Sequence, residues 1–198
     1  TIFIVEASSY QIFYCRYFRS DYAAILNLSP DHLERHGNIN KYAKAKLKLI
    51  FDQKKNKQAY IEKNNLIINK NILNKDIKSN LVKLNFNKEL FFKKKIKNIY
   101  LLDKNNLNNI HFVYSICKKF KFSDVNIFKS INKFKGLKFR KQIIYNHNRL
   151  KIINDSKSTS FSSTTGLLST YKNIYWIVGG ILKKGDKEIK RPFSKNMS

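Results

Sequence analysis

Apolar residues fall along this chain in two kinds of run. Thr1–Val5, Tyr22–Leu28 and Ile174–Val178 are short and nearly unbroken, the first stopping at Glu6 and the last at Gly179-Gly180. Runs of this length and β-rich make-up predict strands buried on both faces, as in a parallel sheet. Other stretches carry the helical period instead. Asn38 is placed to cap a helix from about Ile39 to Gln53, and further helices are predicted over Asn106–Phe120, Ser123–Phe134 and Ser160–Tyr171. Gln142–Tyr145 and Leu150–Ile153 read as a hairpin with Asn146-His147-Asn148 as its turn. Residues 58–100 are rich in lysine and asparagine, with short strand-like pieces at Gln58–Ile61 and Val82–Phe86. Strands alternating with helices predict an α/β fold. The pattern restarts at Lys135-Gly136, which is the expected domain joint, and no internal repeat is visible.

Composition changes the picture less than the charge suggests. Forty basic residues against thirteen acidic ones give a formal net charge of +27, which points first to nucleic acid or an anionic surface. Yet 34 of the forty are lysine, and 24 asparagines and 25 isoleucines accompany them. Lys, Asn and Ile are products of AT-rich codons, so a biased genome accounts for the charge. Only six residues are arginine, the side chain suited to bidentate phosphate and base contacts. No apolar run approaches the roughly 20 residues that span a bilayer. The first residues lack the basic lead and small-residue cleavage site of a signal peptide. Cys15 and Cys117 have no metal-ligand spacing and suit a reducing cytoplasm as small buried residues. The chain opens directly on a strand-like run and loses periodicity after Lys187, as expected of an internal piece of a longer protein.

Few residues stand out chemically. Five of the thirteen acids (Glu6, Asp31, Glu34, Asp155 and Asp186) fall at or just after strand ends or the Gly-Gly turn, where open α/β sheets gather ligands. Each alone also suits a solvated loop. On the Ile39–Gln53 helix, Lys41, Lys44 and Lys48 share one side, whereas Lys46 projects from the apolar side. An amine there is either a lysine whose stem covers core while its head reaches water, or one that deprotonates for base, Schiff-base or carbamate chemistry. His32 follows Asp31 in a loop, where an imidazole serves either structure or a metal. Trp176, inside an apolar run, is expected in the core. No GxxxxGK[ST] phosphate loop occurs in the sequence.

Five segments taken in order resemble the Mur ligases. They are EASSYQ at 6–11, LNLSPDHLERHG at 26–37, YAKAK at 42–46, INDSKST at 153–159, and Gly179-Gly180 followed by Lys183. The Asn154–Thr159 segment favours the D-glutamate-adding branch, while DHLERHG is shared with the wider group that includes folylpolyglutamate synthases. The resemblance implies the later part of a three-layer, parallel-sheet central ATPase domain of the phosphate-loop type, incomplete here, over residues 1–134. The start of a Rossmann-like, glutamate-binding C-terminal domain would follow over 135–198. It implies a cytoplasmic, monomeric ligase of cell-wall precursor synthesis that uses ATP and Mg²⁺. That enzyme would join D-glutamate to UDP-N-acetylmuramoyl-L-alanine through an acyl phosphate, with neither nucleic acid nor membrane as partner. By the same resemblance Glu6 would hold one Mg²⁺, and His32 with a carbamate on Lys46 a second. Ser8 and Gln11 would line the muramoyl site, and Asn106, Arg140 and Asp155 would contact ATP. Lys157 would act near the transferring phosphoryl group, and Thr159 and Lys183 would meet D-glutamate. The family's His-Asn pair is Asn105-Asn106 here, and its Leu-Pro-His-Arg is Leu137-Lys138-Phe139-Arg140. Other readings of the chain are a sister amide ligase, a folylpolyglutamate synthase-like ligase or a basic nucleic-acid-binding module. A chain without the phosphate loop is expected to be inactive by itself.

Overall fold

The computed structural model describes residues 1–28, 33–86, 89–159 and 161–181. It divides into two compact units, Thr1–Asn87 and Lys88–Ser198. In the first unit the order is α1 (Ser9–Tyr14), β1 (Tyr22–Ile25), α2 (Leu33–His36), α3 (Ile39–Phe51), β2 (Gln58–Glu62), α4 (Leu66–Ile72) and β3 (Asn80–Leu84). The second holds α5 (Glu89–Lys95), a 3-10 turn at Ile99–Leu101, α6 (Lys104–Lys119), α7 (Asp124–Lys133), β4 (Gln142–His147), β5 (Leu150–Asn154) and α8 (Phe161–Leu168).

The parallel sheet expected from the sequence is present, with β2 between β1 and β3. Its register sets Ala23 beside Ala59 and Ala59 beside Leu81. Helix α3 begins where Asn38 was expected to cap it, the Asn38 side-chain oxygen accepting from Lys41 N at 2.9 Å. Its apolar side, with Tyr42, Ala43, Leu47 and Ile50 buried, packs with Ala23, Ile25, Ala59, Ile61 and Ile68 into one core. Gln53 fastens the end of this helix to the sheet. Its amide nitrogen donates to Ser20 O and to Gln58 O, each at 3.0 Å, tying the approach to β1 to the first residue of β2.

Two apolar runs are not strands. Thr1–Val5 lies outside the sheet with Phe3 84% and Ile4 95% exposed. Ile174–Val178 is likewise not a strand, with Ile177 97% exposed. A strand of this composition is buried only if ladder neighbours and covering helices flank it, and none among the described residues does so. Trp176 is therefore half-buried rather than core, its ring packed edge-on against Phe161 at 5.9 Å. The hairpin turn also moves: Asn148-Arg149 forms it, with φ of 46° and 68°, while His147 still pairs with Leu150. Two positive φ values suit the right-handed twist of the flanking strands, and asparagine tolerates that region well. The short helices α1, α4 and α5 were not apparent from periodicity.

The second unit has its own core, in which α5, α6 and α7 bring together Phe92, Leu107, Ile110, Ile127 and Phe128. At its rim the Asp124 carboxylate accepts from Lys118 Nζ at 3.0 Å and Tyr114 OH at 3.1 Å. The Lys118 bond holds Asp124 below the usual carboxylate range, while burial pushes the Tyr114 phenol up.

The cysteines differ from each other and from the expectation that both are buried. Cys15 is exposed, and Cys117 is half-buried with its thiol pushed up by desolvation. Since the thiolate is the nucleophile, iodoacetamide at pH 8 is expected to alkylate Cys15 well before Cys117. Peptide mass spectrometry along a time course checks this, and equal rates would contradict the packing of α6. Among the described residues no helix is long and apolar enough to cross a membrane.

Candidate functional site

The sequence-derived site residues fall on both units. In the first, Glu6 is an exposed carboxylate three residues before the start of α1. Ser8 and Gln11 bond to each other: Ser8 Oγ accepts from Gln11 N at 3.2 Å, and Gln11 Oε1 accepts from Ser8 N at 2.8 Å. This capping box starts a six-residue helix that propensity alone would not sustain. The two side chains thus already have a structural duty, and any substrate contact must use their remaining hydrogen-bonding capacity.

Helix α1 packs on α3, and the contact centres on a residue the sequence reading passed over. His36 lies between the Tyr10 and Tyr42 rings, with centroids at 5.5 and 5.3 Å, and its Nε2 is 3.0 Å from the hydroxyl of buried Ser9. Tyr42 in turn carries Lys46, whose Nζ sits 5.1 Å from the ring centroid. Lys46 is half-buried and resolves the earlier alternatives part-way: its stem lies on the helix's packed side while its amine rests on an aromatic face. His32 lies outside the described residues.

The second unit gathers more of the candidates. Asp103 caps α6, its Oδ1 accepting from Asn105 N at 3.1 Å and Asn106 N at 3.3 Å. The Asn106 amide nitrogen donates back to Asp103 Oδ2 at 2.6 Å and to Tyr100 O at 2.7 Å, so its orientation is fixed. Asp103 Oδ2 also receives Lys141 Nζ at 3.0 Å. Lys141 N donates to Asp155 Oδ1 at 3.0 Å, and Ser158 Oγ donates to Asp155 Oδ2 at 2.7 Å. Lys157 N reaches Phe139 O at 3.0 Å, which seats the Asn154–Thr159 turn against the loop that carries Arg140. Asn106 and Asp155 thus belong to one bonded cluster through Asp103 and Lys141. The Lys157 backbone joins the neighbouring loop at Phe139, next in sequence to Arg140, and the Arg140 and Lys157 side chains are exposed. Thr159 is exposed beside it, and Lys183 lies outside the described residues.

Asp103 and Lys141 were missed for understandable reasons. Asp103 lies ahead of the helix start read from periodicity, and Lys141 is one of 34 lysines. A signal for the first did exist, since an aspartate just ahead of a helical run is a capping residue, and Asp103 directly precedes Lys104.

As for metal, no group of three or more His, Cys, Asp or Glu among the described residues is placed to hold an ion. Mg²⁺ does not need such a cage, being held commonly by one or two carboxylates with phosphate oxygens and water. The exposed carboxylate of Glu6 fits that mode. Lys46 in its present pose does not ligate, because an ammonium on an aromatic face has no lone pair to offer.

Residues 1–123 match the Mur ligase middle domain. Among similar proteins, the UDP-N-acetylmuramoylalanine–D-glutamate ligase of Rickettsia bellii is 31% identical, over 98% of this chain and 48% of its own length. The ligases of the same name from Rickettsia prowazekii and Francisella tularensis subsp. novicida are each 32% identical. They align with 96% and 92% of the chain and with 47% and 43% of their own lengths. The chain spans about half the length of the curated relatives it matches.

Proposed function

This chain belongs to the Mur ligase family, and on that premise we propose that it forms part of an ATP-dependent ligase adding D-glutamate to UDP-N-acetylmuramoyl-L-alanine. The observation that carries the reading is the bonded cluster in the second unit. Three stretches that the resemblance assigned to ATP and phosphoryl transfer are held together there by Asp103, Lys141 and Asp155. The names of the relatives support the same substrates.

The chemistry follows two displacements. A carboxylate oxygen of the alanyl group attacks the γ-phosphorus of ATP, and ADP leaves. The D-glutamate amine then attacks the acyl carbon, inorganic phosphate leaves, and the nitrogen sheds a proton to give the amide. Both steps gather negative charge, which exposed cationic side chains are suited to offset. Lys157 is assigned to the transferring phosphoryl group and Arg140 to ATP. Asn106 and Asp155, neither of them cationic, serve the nucleoside end, and Thr159 and Lys183 the glutamate. Ser8 and Gln11 are assigned to the muramoyl substrate. Mg²⁺ would be held by Glu6 and, at a second position, by His32 with carbamylated Lys46; when bound it neutralises phosphoryl oxygens. Carbamylation requires Lys46 to lose a proton and add CO₂, and the resulting anion would turn from the electron-rich face of Tyr42 that now suits its ammonium.

We assign residues 1–134 to the family's central domain and 135–198 to the start of its last one. The end of the family match at residue 123, ahead of Lys135-Gly136, supports this joint. The compact units divide earlier, at Asn87 and Lys88, so the proposed joint falls inside the second of them.

With no phosphate loop in its sequence, the isolated chain is expected to form no amide from ATP, Mg²⁺, UDP-N-acetylmuramoyl-L-alanine and radiolabelled D-glutamate. Product from the isolated chain would overturn the mechanism. A chimera in which this chain replaces the matching stretch of the Rickettsia bellii ligase is expected to release phosphate on addition of D-glutamate. Release with another amino acid instead would move the assignment to a sister ligase.

A further inference from the structure

We propose that Lys141 is a positioning residue that holds Asn106, by way of Asp103, and Asp155 in fixed register, so that the two sides of the nucleoside site are set by one residue. The proposal rests on the ATP assignment just made. Lys141 reaches both partners by different groups: its ammonium lies 3.0 Å from Asp103 Oδ2, and its backbone N–H lies 3.0 Å from Asp155 Oδ1. Asp103 in turn fixes the Asn106 amide at 2.6 Å. Asp103 lies within the part matched by the family and Lys141 beyond it, so the pair also spans the proposed joint.

Three features separate this ion pair from the many surface lysine contacts. Its side chains are only 19% and 8% exposed for Lys141 and Asp103, so water screens it little. It borders a cavity of about 50 Å³ whose wall includes Ile143, Ile153 and Leu167. That volume is far below the several hundred Å³ of a ligand pocket and has room only for water, so the pair is a strut beside the site rather than a binding pocket. Most telling is the backbone. Lys141 has φ of 47°, a left-handed conformation in which a side chain is unfavourable and glycine is the default. A non-glycine residue stays there only when its surroundings over-determine it. If the turn alone mattered, glycine would serve better. What lysine supplies at this position and glycine would not is the ammonium on Asp103.

The test uses the isotope-labelled 198-residue chain, titrated with Mg·ATP and followed by NMR at the Asn106 side-chain amide and the residue-141 backbone amide. Lys141→Arg is expected to keep wild-type affinity. Lys141→Met and Lys141→Gly are expected to weaken binding about tenfold, the equivalent of one lost interaction. A folded Lys141→Met or Lys141→Gly chain that binds ATP as well as wild type overturns the proposal. Denaturant unfolding of Asp103→Asn, Lys141→Met and the double variant gives a second, ligand-free readout. Coupling of roughly fivefold or more in the folded-to-unfolded ratio upholds the clamp, and additivity overturns it. If the wild-type chain itself shows no response to ATP, the nucleotide reading falls, and the clamp is decided by that cycle alone.

Discussion

Phe92→Ala is expected to destabilise the second unit by about 3–5 kcal/mol, the range for truncating a fully buried aromatic. Phe92 is 0% exposed and touches rings from three helices. Its centroid lies 5.4 Å from Phe91 on its own helix, 4.5 Å from His111 and 5.4 Å from Tyr114 on α6, and 6.2 Å from Phe128 on α7. The contacts with His111, Tyr114 and Phe91 are edge-on, the geometry aromatic rings prefer, and each adds to plain burial. The vacated volume is bordered by rings from three helices, so collapse is expected to be incomplete and the loss to lie in the upper part of the range. Domains of this size are commonly stable by only about 5–15 kcal/mol, so most of the margin would go. The measurement is guanidinium unfolding followed by the fluorescence of Trp176, the sole tryptophan. Val125→Ala, at a residue 75% exposed on α7, is the comparator and is expected to change stability by less than about 0.5 kcal/mol. Equal effects of the two substitutions would mean that this aromatic core is wrongly packed.

That core also marks where sequence reading succeeded. Local signals carried α3, α6, α7 and the hairpin, because a cap, a 3.6-residue period or a pair of alternating strands is written in neighbouring residues. Asn38 and Ser123 both cap the helices that follow them. The failures share a different cause. Thr1–Val5 and Ile174–Val178 have the composition of buried strands, but burial of a parallel strand is decided by distant segments. Composition records an appetite for neighbours, not their presence. The short helices α1 and α4 are set by single side chains, Ser8 with Gln11 and Asn65, rather than by a repeated period.

The candidate site divides in the same way. Asp155 and Lys157 stood out as candidates because the 153–159 segment carries both, and Arg140 because its arginine remains in an otherwise altered Leu137–Arg140 stretch. Asp103 and Lys141 were not, because what distinguishes them is a contact between residues 38 positions apart and a backbone angle. His36 was passed over since a lone histidine offers no spacing to read. Its position between two tyrosines, bonded to buried Ser9, shows only in three dimensions. Lys46 is the intermediate case. Helical geometry placed it on the packed side, while only the structure shows that its amine rests over Tyr42.

Asp155→Ala is the second substitution with a large expected effect, and it separates architecture from chemistry. The carboxylate has two good hydrogen bonds, from Lys141 N at 3.0 Å and Ser158 Oγ at 2.7 Å; the Thr164 hydroxyl at 3.5 Å is too distant to count for much. Alanine would strand the N–H of a residue held at φ 47° and release the turn that seats Lys157. Hydrogen bonds to a charged acceptor are worth about 1.5–3 kcal/mol each, so a loss of about 2–4 kcal/mol is expected once partial hydration of this half-buried group is allowed for. Asp155→Asn keeps an oxygen for Lys141 N and most of the shape, and is expected to recover at least half of that loss. Nucleotide affinity need not recover with it. An anionic side chain near a polyanion must meet its hydroxyls rather than its phosphates, and a carboxylate can accept from two hydroxyls where an amide oxygen has a single acceptor atom. Mg·ATP affinity is therefore expected to fall about tenfold or more in Asp155→Asn, although the variant folds. Unfolding curves and the NMR titration on the same samples decide the matter. If Asp155→Asn restores both stability and binding, Asp155 serves the fold alone, and its assignment to ATP is withdrawn.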